Sequence, residues 1–375
     1  MSLAGIYLHL PFCVHRCSYC SFVVSTEDNA RVPYIAALLR EIAMLSGEAA
    51  GAEFDTVYFG GGTPSALPHE NLQSLLQALH KSYRIGGGVE ITAEANPDDV
   101  RVELLRAWRD AGVTRVSLGV QSLHDVELAS IERRHGADQA RRARDACLRA
   151  GFDVSCDLLL GIPSQTAETF LSDVGEMAGS GVGHLSVYLL EMDKAPRLAE
   201  ERRRQPGRFL SEEAQADAYL AAGTVLGGAG FEHYEVSNWA RPGCRARHNA
   251  KYWRRIPTLG FGVSAHEFWA GRRRANTDSL GAYVSALGEG KRPTVLDRKI
   301  GPEETLREKI VLSARTSEGI SQRDLEQWRA GSGDPEFPGD WESWLALGLL
   351  RRRGQSFAFT EKGFLLSNEI LCRFV

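Results

Sequence analysis

A chain of 375 residues that is 43% hydrophobic and 25% charged has the profile of an ordinary globular protein, long enough for two or three domains or one large α/β barrel. Its formal net charge of −4 and pI near 6.2 leave no basic footprint, so nucleic acid is not the expected partner. No apolar run approaches the ~18 residues of a membrane span, and no basic segment followed by a long apolar one marks a secretory leader, so the expected compartment is the cytoplasm.

Runs rich in β-branched residues alternate with segments of helical period from residue 5 to about residue 240. The strand candidates are Gly5–Leu10, Asp55–Phe59, Val89–Ala93, Val113–Leu118, Asp153–Leu160, His184–Leu189 and Glu232–Ser237. Between them lie helix candidates Val32–Leu45, Leu72–Tyr83, Glu103–Ala111, Asp138–Ala150, Ala167–Ala178 and Glu212–Leu226. Strands joined by helical crossovers make a parallel sheet with helices outside. Six or more such units favour an α/β fold, a partial (β/α)6-type barrel with its chemistry at the C-terminal strand ends.

Residues 241–300 are rich in Gly, Arg and aromatics and poor in periodicity, and are expected to form an irregular extension. Beyond them come a helix (Glu303–Ser313), a short helix opened by Ser321, a Trp-rich segment, a strand pair around Gly354 and a last helix (Glu361–Phe374). That order suggests a smaller C-terminal winged-helix-like domain, so the expected divisions are 1–240, 241–300 and 301–375. The arginine runs at 202–204, 272–274 and 351–353 sit beside acids or turns and read as solvated faces.

Seven cysteines is an odd number, and three of them, Cys13, Cys17 and Cys20, fall within eight residues just after the first strand. In a chain with no export signal this reads as metal chemistry, not a disulfide framework. Iron–sulfur clusters are usually held by four thiolates, so a local set of three leaves one iron open. On spacing alone a zinc site of three cysteines plus His9 or His15 is the alternative, although no second cysteine pair accompanies it.

Cys-x3-Cys-x2-Cys followed two residues later by an aromatic, Phe22, resembles the radical-SAM superfamily. Within it, Tyr7-x-His9-x-Pro11-Phe12-Cys13 is similar to the oxygen-independent coproporphyrinogen III oxidases and their haem-chaperone relatives, the HemW proteins. The resemblance implies a [4Fe–4S] cluster on Cys13, Cys17 and Cys20. Its fourth iron would be chelated by the amino and carboxylate groups of S-adenosylmethionine (SAM). One electron then cleaves a C–S bond to give methionine and a 5′-deoxyadenosyl radical, chemistry that belongs to the cofactor. It also implies a SAM pocket at successive strand ends, from Tyr7, Phe22, Gly61, Gly62, Thr63, Glu94, Gln121, Arg133 and Asp157. Chemically, Arg133 suits a carboxylate through its fork of donors, whereas Glu94, Gln121 and Asp157 suit amino or ribose groups.

Two features separate the relatives. The oxidases carry a further cysteine where this chain has Phe22, which puts true oxidase activity in doubt. His248-Asn249-x-x-Tyr252-Trp253 matches a motif of the HemW group. The resemblance therefore implies a haem-binding protein that hands haem to acceptor proteins. His248 would be an axial-ligand candidate and Asn249, Tyr252 and Trp253 its neighbours. Its partners would be haem or porphyrin, the acceptors and an electron donor for the cluster, with peripheral contact with a membrane included. The alternative is oxidative decarboxylation of coproporphyrinogen III to protoporphyrinogen IX.

Overall fold

The computed structural model describes residues 3–332 and 339–374. Twelve strands form one sheet: β1 (Ala4–Leu10), β2 (Glu53–Gly61), β3 (Arg84–Ala95), β4 (Arg115–Gln121), β5 (Asp153–Leu160), β6 (His184–Leu189), β7 (Glu232–Glu235), β8 (Asn238–Ala240), β9 (Thr258–Phe261), β10 (His266–Trp269), β11 (Arg272–Asn276) and β12 (Thr294–Lys299). Their order is β12-β11-β10-β9-β1-β2-β3-β4-β5-β6-β8-β7, and β9 with β1 to β6 run parallel. The crossovers carry α1 (Arg31–Met44), α2 (His69–Ser82), α3 (Val102–Asp110), α4 (Asp125–Ser130), α5 (Ala137–Arg149), α6 (Ala167–Gly179), α7 (Pro196–Arg204) and α8 (Glu212–Gly228).

Alternation along each strand explains the architecture. Ile6, Leu8 and Leu10 of β1, Val57 and Phe59 of β2, and Val116 and Leu118 of β4 face the helices and are buried. The opposite face carries Tyr7, Thr56, Tyr58, Thr92, Glu94, Ser117, Asp157 and Ser186, which the parallel register brings into rows. The sheet curves strongly, because Tyr58 on β2 lies within electrostatic reach of Asp157 on β5 and Tyr188 on β6. This concave side stays open: Tyr188 points into it yet keeps 40% of its surface exposed. The fold is thus an α/β partial barrel whose lining is polar.

The expected elements through β6 match those observed within a few residues. The next segment differs. The expected strand Glu232–Ser237 appears as β7, but it turns back at once into an unexpected β8, which pairs antiparallel with both β7 and β6. Residues 241–300 also form no loose appendage. They supply α9 (Arg247–Trp253), the parallel neighbour β9 of β1, three further strands and α10 (Leu280–Gly288). The expected break at residue 240 is therefore no break in the sheet.

Beyond it come α11 (Pro302–Ala314), β13 (Ile320–Ser321), α12 (Gln322–Ser332), α13 (Gly339–Ala346), the hairpin of β14 (Leu350–Arg353) and β15 (Ser356–Phe359), then α14 (Glu361–Leu365) and α15 (Ser367–Leu371). The small sheet has the order β13-β15-β14, a winged-helix-like arrangement with its own apolar core around Ile310, Trp341, Phe359 and Phe364. The last expected helix is interrupted at Leu366. Backbone bonds Val236 N–H to Arg315 O and Ser317 N–H to Tyr234 O join this unit to the barrel edge.

A buried carboxylate fixes the upper end of β1. Glu41 of α1 accepts hydrogen bonds from Gly262 N–H, Asn276 Nδ2 and Tyr283 OH, the last at 2.6 Å. Burial pushes this acid up to about 7, against the pull of those donors. Two turns earlier, Tyr34 OH donates to His9 O at 2.6 Å and accepts from Val263 N–H. Helix α1, β1 and the turn after β9 are thereby clamped together just below the cysteine loop. Tyr283→Phe removes one donor from a buried carboxylate and is expected to cost about 1–3 kcal/mol. Urea unfolding with an unchanged midpoint would contradict that role.

Candidate functional site

The cysteine loop leaves β1 at Phe12 and is closed at its neck by Cys13 N–H to Ser25 O and Ser25 N–H to Pro11 O. The three thiols are half-exposed, with Cys13 Sγ 3.3 Å from Thr63 Oγ1 and Arg133 Nη1 3.7 Å from Cys17 Sγ. Among the described residues no three His, Cys, Asp or Glu side chains are gathered to metal-ligand geometry. Burial pushes the Cys13 thiol up to about 11, so iron would have to supply the energy of its deprotonation.

Beneath the loop lies the glycine turn. Gly62 N–H donates to Leu10 O and Thr63 N–H to Phe12 O, so this backbone extends the β1–β2 pairing into the loop. Glycine is required here for space: a Cβ on Gly61 (φ +109°) would lie 2.5 Å from the His9 ring, and one on Gly62 would lie 2.6 Å from the Pro11 backbone. Gly61 N–H is spent on Glu94 Oε2.

Glu94 also accepts from Tyr58 OH at 2.8 Å, and burial raises its pKa to about 7. Asp157 accepts weakly from Ser117 at 3.4 Å, its Oδ1 has no partner although buried, and its pKa is pushed up to about 6. Gln121 sits at the end of β4 with φ +70°, a strained conformation for a non-glycine residue of the kind functional sites retain. Tyr7 stacks on Tyr58 and donates to His9 Nδ1, whose Nε2–H bonds to Val23 O.

Arg133 is heavily engaged. Its Nη2 donates to Asn96 Oδ1 and Gly119 O, both at 2.7 Å, and its Nη1 to Tyr19 OH. The fork is committed to tying the loop to the strand ends, and only Nε, buried, is unpartnered. Phe22 points outward and is 63% exposed, away from the other expected SAM residues. Tyr19, Asn96, Tyr58 and Tyr188 belong to the site and escaped the sequence reading. Polar or aromatic residues at every second position of β2 (Thr56, Tyr58) were the available signal.

The His248 motif lies at the opposite end. Glu90 accepts from the backbone N–H groups of Arg247 and His248, which docks α9 across the N-terminal mouth of the barrel. His248 is fully buried, stacked on Tyr58, with Nδ1 2.9 Å from Thr56 Oγ1 and Nε2 2.9 Å from Tyr252 OH. Burial lowers its pKa to about 3, so the ring is neutral. Tyr252 faces the barrel interior and is 41% exposed there. Trp253 faces outward into a separate cavity, and Asn249 is half-buried on the helix between them. The four residues expected around one haem therefore divide between two faces of α9. An outside ligand meets His248 only if Thr56 or Tyr252 lets go.

A curved parallel sheet with a three-cysteine loop at the C-terminal strand ends is the framework of a radical-SAM protein. The Radical SAM superfamily profile matches residues 7–176. The chain is 32% identical over 372 residues to the haem chaperone HemW of Mycobacterium tuberculosis, covering 98% of this chain and 93% of that one. To HemW of Bacillus subtilis it is 29% identical, covering 100% and 99%. Coproporphyrinogen III oxidase (HemN) of Escherichia coli, a radical-SAM enzyme, superposes with a TM-score of 0.84 at 22% identity, covering 99% of this chain and 90% of that one, which establishes the shared fold. The chain belongs to the HemW family.

Two outcomes test this geometry. Gly62→Ala should leave a folded protein with sharply reduced iron and sulfide after reconstitution, since the added methyl pushes the loop off β2. Wild-type cluster content would contradict it. His248→Ala should lower stability by about 2–4 kcal/mol, through a cavity and two lost hydrogen bonds, while the cluster still forms. An unchanged unfolding midpoint would show that the ring does not pin α9.

Proposed function

We propose that this protein binds haem and delivers it to acceptor proteins, using a radical-SAM core whose cluster is held by Cys13, Cys17 and Cys20. The observation that carries the proposal is α9. The motif residues close the barrel floor from within, and the same helix presents Trp253 and its arginines to the outside. An unpartnered Asp157 Oδ1 and the unpartnered Arg133 Nε fit a chelating amino acid beside the cysteine loop. The donor set of three thiols fits a cluster with one open iron. When bound, cluster and SAM supply one-electron cleavage of a C–S bond. The chain's own part is to hold the loop through Arg133 and Thr63 and to present Glu94 and Asp157 to amino or ribose groups.

No helix among the described residues is long and apolar enough to cross a membrane. An electron donor for the cluster, action in the cytoplasm and peripheral contact with a membrane belong to this proposal.

The test is anaerobic reconstitution with iron and sulfide, haem titration followed by absorbance, and mixing of the loaded protein with a haem-free acceptor. A saturable Soret band that moves to the acceptor supports the proposal. Conversion of coproporphyrinogen III to protoporphyrinogen IX under reducing conditions with SAM would overturn it in favour of an oxidase, despite Phe22 in place of the oxidases' cysteine.

A further inference from the structure

On the outer side of α9, between the barrel's N-terminal mouth and the C-terminal unit, lies a cavity of ≈ 260 Å³. Trp253 and the side chains of Arg245, Arg247, Lys251 and Arg254 line it, with Glu235 among its lining residues. Arg247 and Lys251 share Asp55, and Arg254 pairs with Glu318 across the gap to the C-terminal unit. Four cations thus face two carboxylates of the wall, Asp55 and Glu318, and the balance favours an anion. Arg245 pairs with the exposed Glu232 outside the cavity and lies over the Tyr234 ring.

Glu235 bridges Thr316 through its backbone at the cavity wall, while its buried carboxyl accepts from Ser237 N–H and lies within electrostatic reach of Tyr188 and Tyr219, so it adds no charge to the cavity.

We infer that this cavity seats the carboxylate-bearing edge of a planar aromatic ligand, with guanidinium groups on the carboxylates and Trp253 on the ring. Under the proposed function, on which this rests, that edge is the propionate edge of haem. The size fits an edge and not a whole macrocycle, because pockets that swallow drug-sized ligands start near ~300 Å³. Paired arginines match carboxylate geometry, and a guanidinium-rich wall beside an indole suits an aromatic anion. Recognition is then through the carboxylates and not through iron, consistent with both His248 nitrogens being engaged on the other face of α9.

The experiment titrates the reconstituted protein with haem, metal-free protoporphyrin IX and protoporphyrin IX dimethyl ester, then repeats it on Arg245→Ala and Trp253→Ala. Haem and the metal-free porphyrin should bind comparably. The ester should bind about tenfold more weakly or worse, the scale of one lost charge-assisted hydrogen bond. Each variant should weaken the free acid by a similar factor with iron and sulfide content unchanged. Equal binding of acid and ester to the wild type overturns the inference even if a variant fails to fold. Haem binding that neither variant disturbs overturns it too, while leaving haem delivery intact. A wild type that binds no porphyrin at all removes the proposed function and this inference together.

Discussion

A parallel sheet curved onto itself puts one row of side chains inside. In this chain that row is polar, so every charge in it has to be met from within. Glu90 takes two backbone N–H groups of α9, and Arg115 donates to Cys244 O at 3.0 Å. His184 sits between Ser155 and Tyr234, and Glu94 between Tyr58 and Gly61. An unpaired buried polar group costs roughly 1–3 kcal/mol, so these partners are structural necessities. Several of them come from residues 234–252. That is why the segment after the sixth parallel strand is part of the barrel.

Neither end of the barrel pairs every buried group, since Thr92 Oγ1 and Arg115 Nη2 toward the floor also lack partners. At the floor, α9 satisfies Glu90 and buries a neutral His248, leaving a closed surface. At the upper end the accounting stays incomplete. Asp157 Oδ1 and Arg133 Nε are buried without partners, Gln121 is strained, and three thiols hang on a loop pinned by Thr63 and Arg133. Incomplete satisfaction beside three cysteines is what a site that receives a cluster and an amino-acid chelator requires. The cavity outside α9, at the other mouth from the cysteine loop, adds a cation-rich wall beside Trp253.

Much of this was legible in the sequence because the signals were local. Strand-and-helix alternation through Leu189 follows from hydrophobic period, and the cysteine spacing marks its own loop. The failures were all long-range. Arg247 to Trp253 reads as a motif, but nothing local says that Glu90, more than 150 residues earlier, draws its backbone into the barrel mouth. Nor does sequence show that one turn of helix sends His248 and Tyr252 inward and Trp253 outward. Nor does anything local show that Asn96, just past β3, and Gly119 on β4 accept from Arg133. Short strands such as β9 and β10, four residues each, carry too little period to be seen.

The account places radical chemistry at the C-terminal strand ends and the tetrapyrrole against α9 at the other mouth. Anomalous scattering at the iron edge, from crystals of protein loaded with both cluster and haem, tests this directly. The account predicts iron density at the Cys13, Cys17 and Cys20 loop and a separate iron outside α9, on the Trp253 side. A haem iron inside the barrel, bound to His248 and displacing Tyr252, would contradict it.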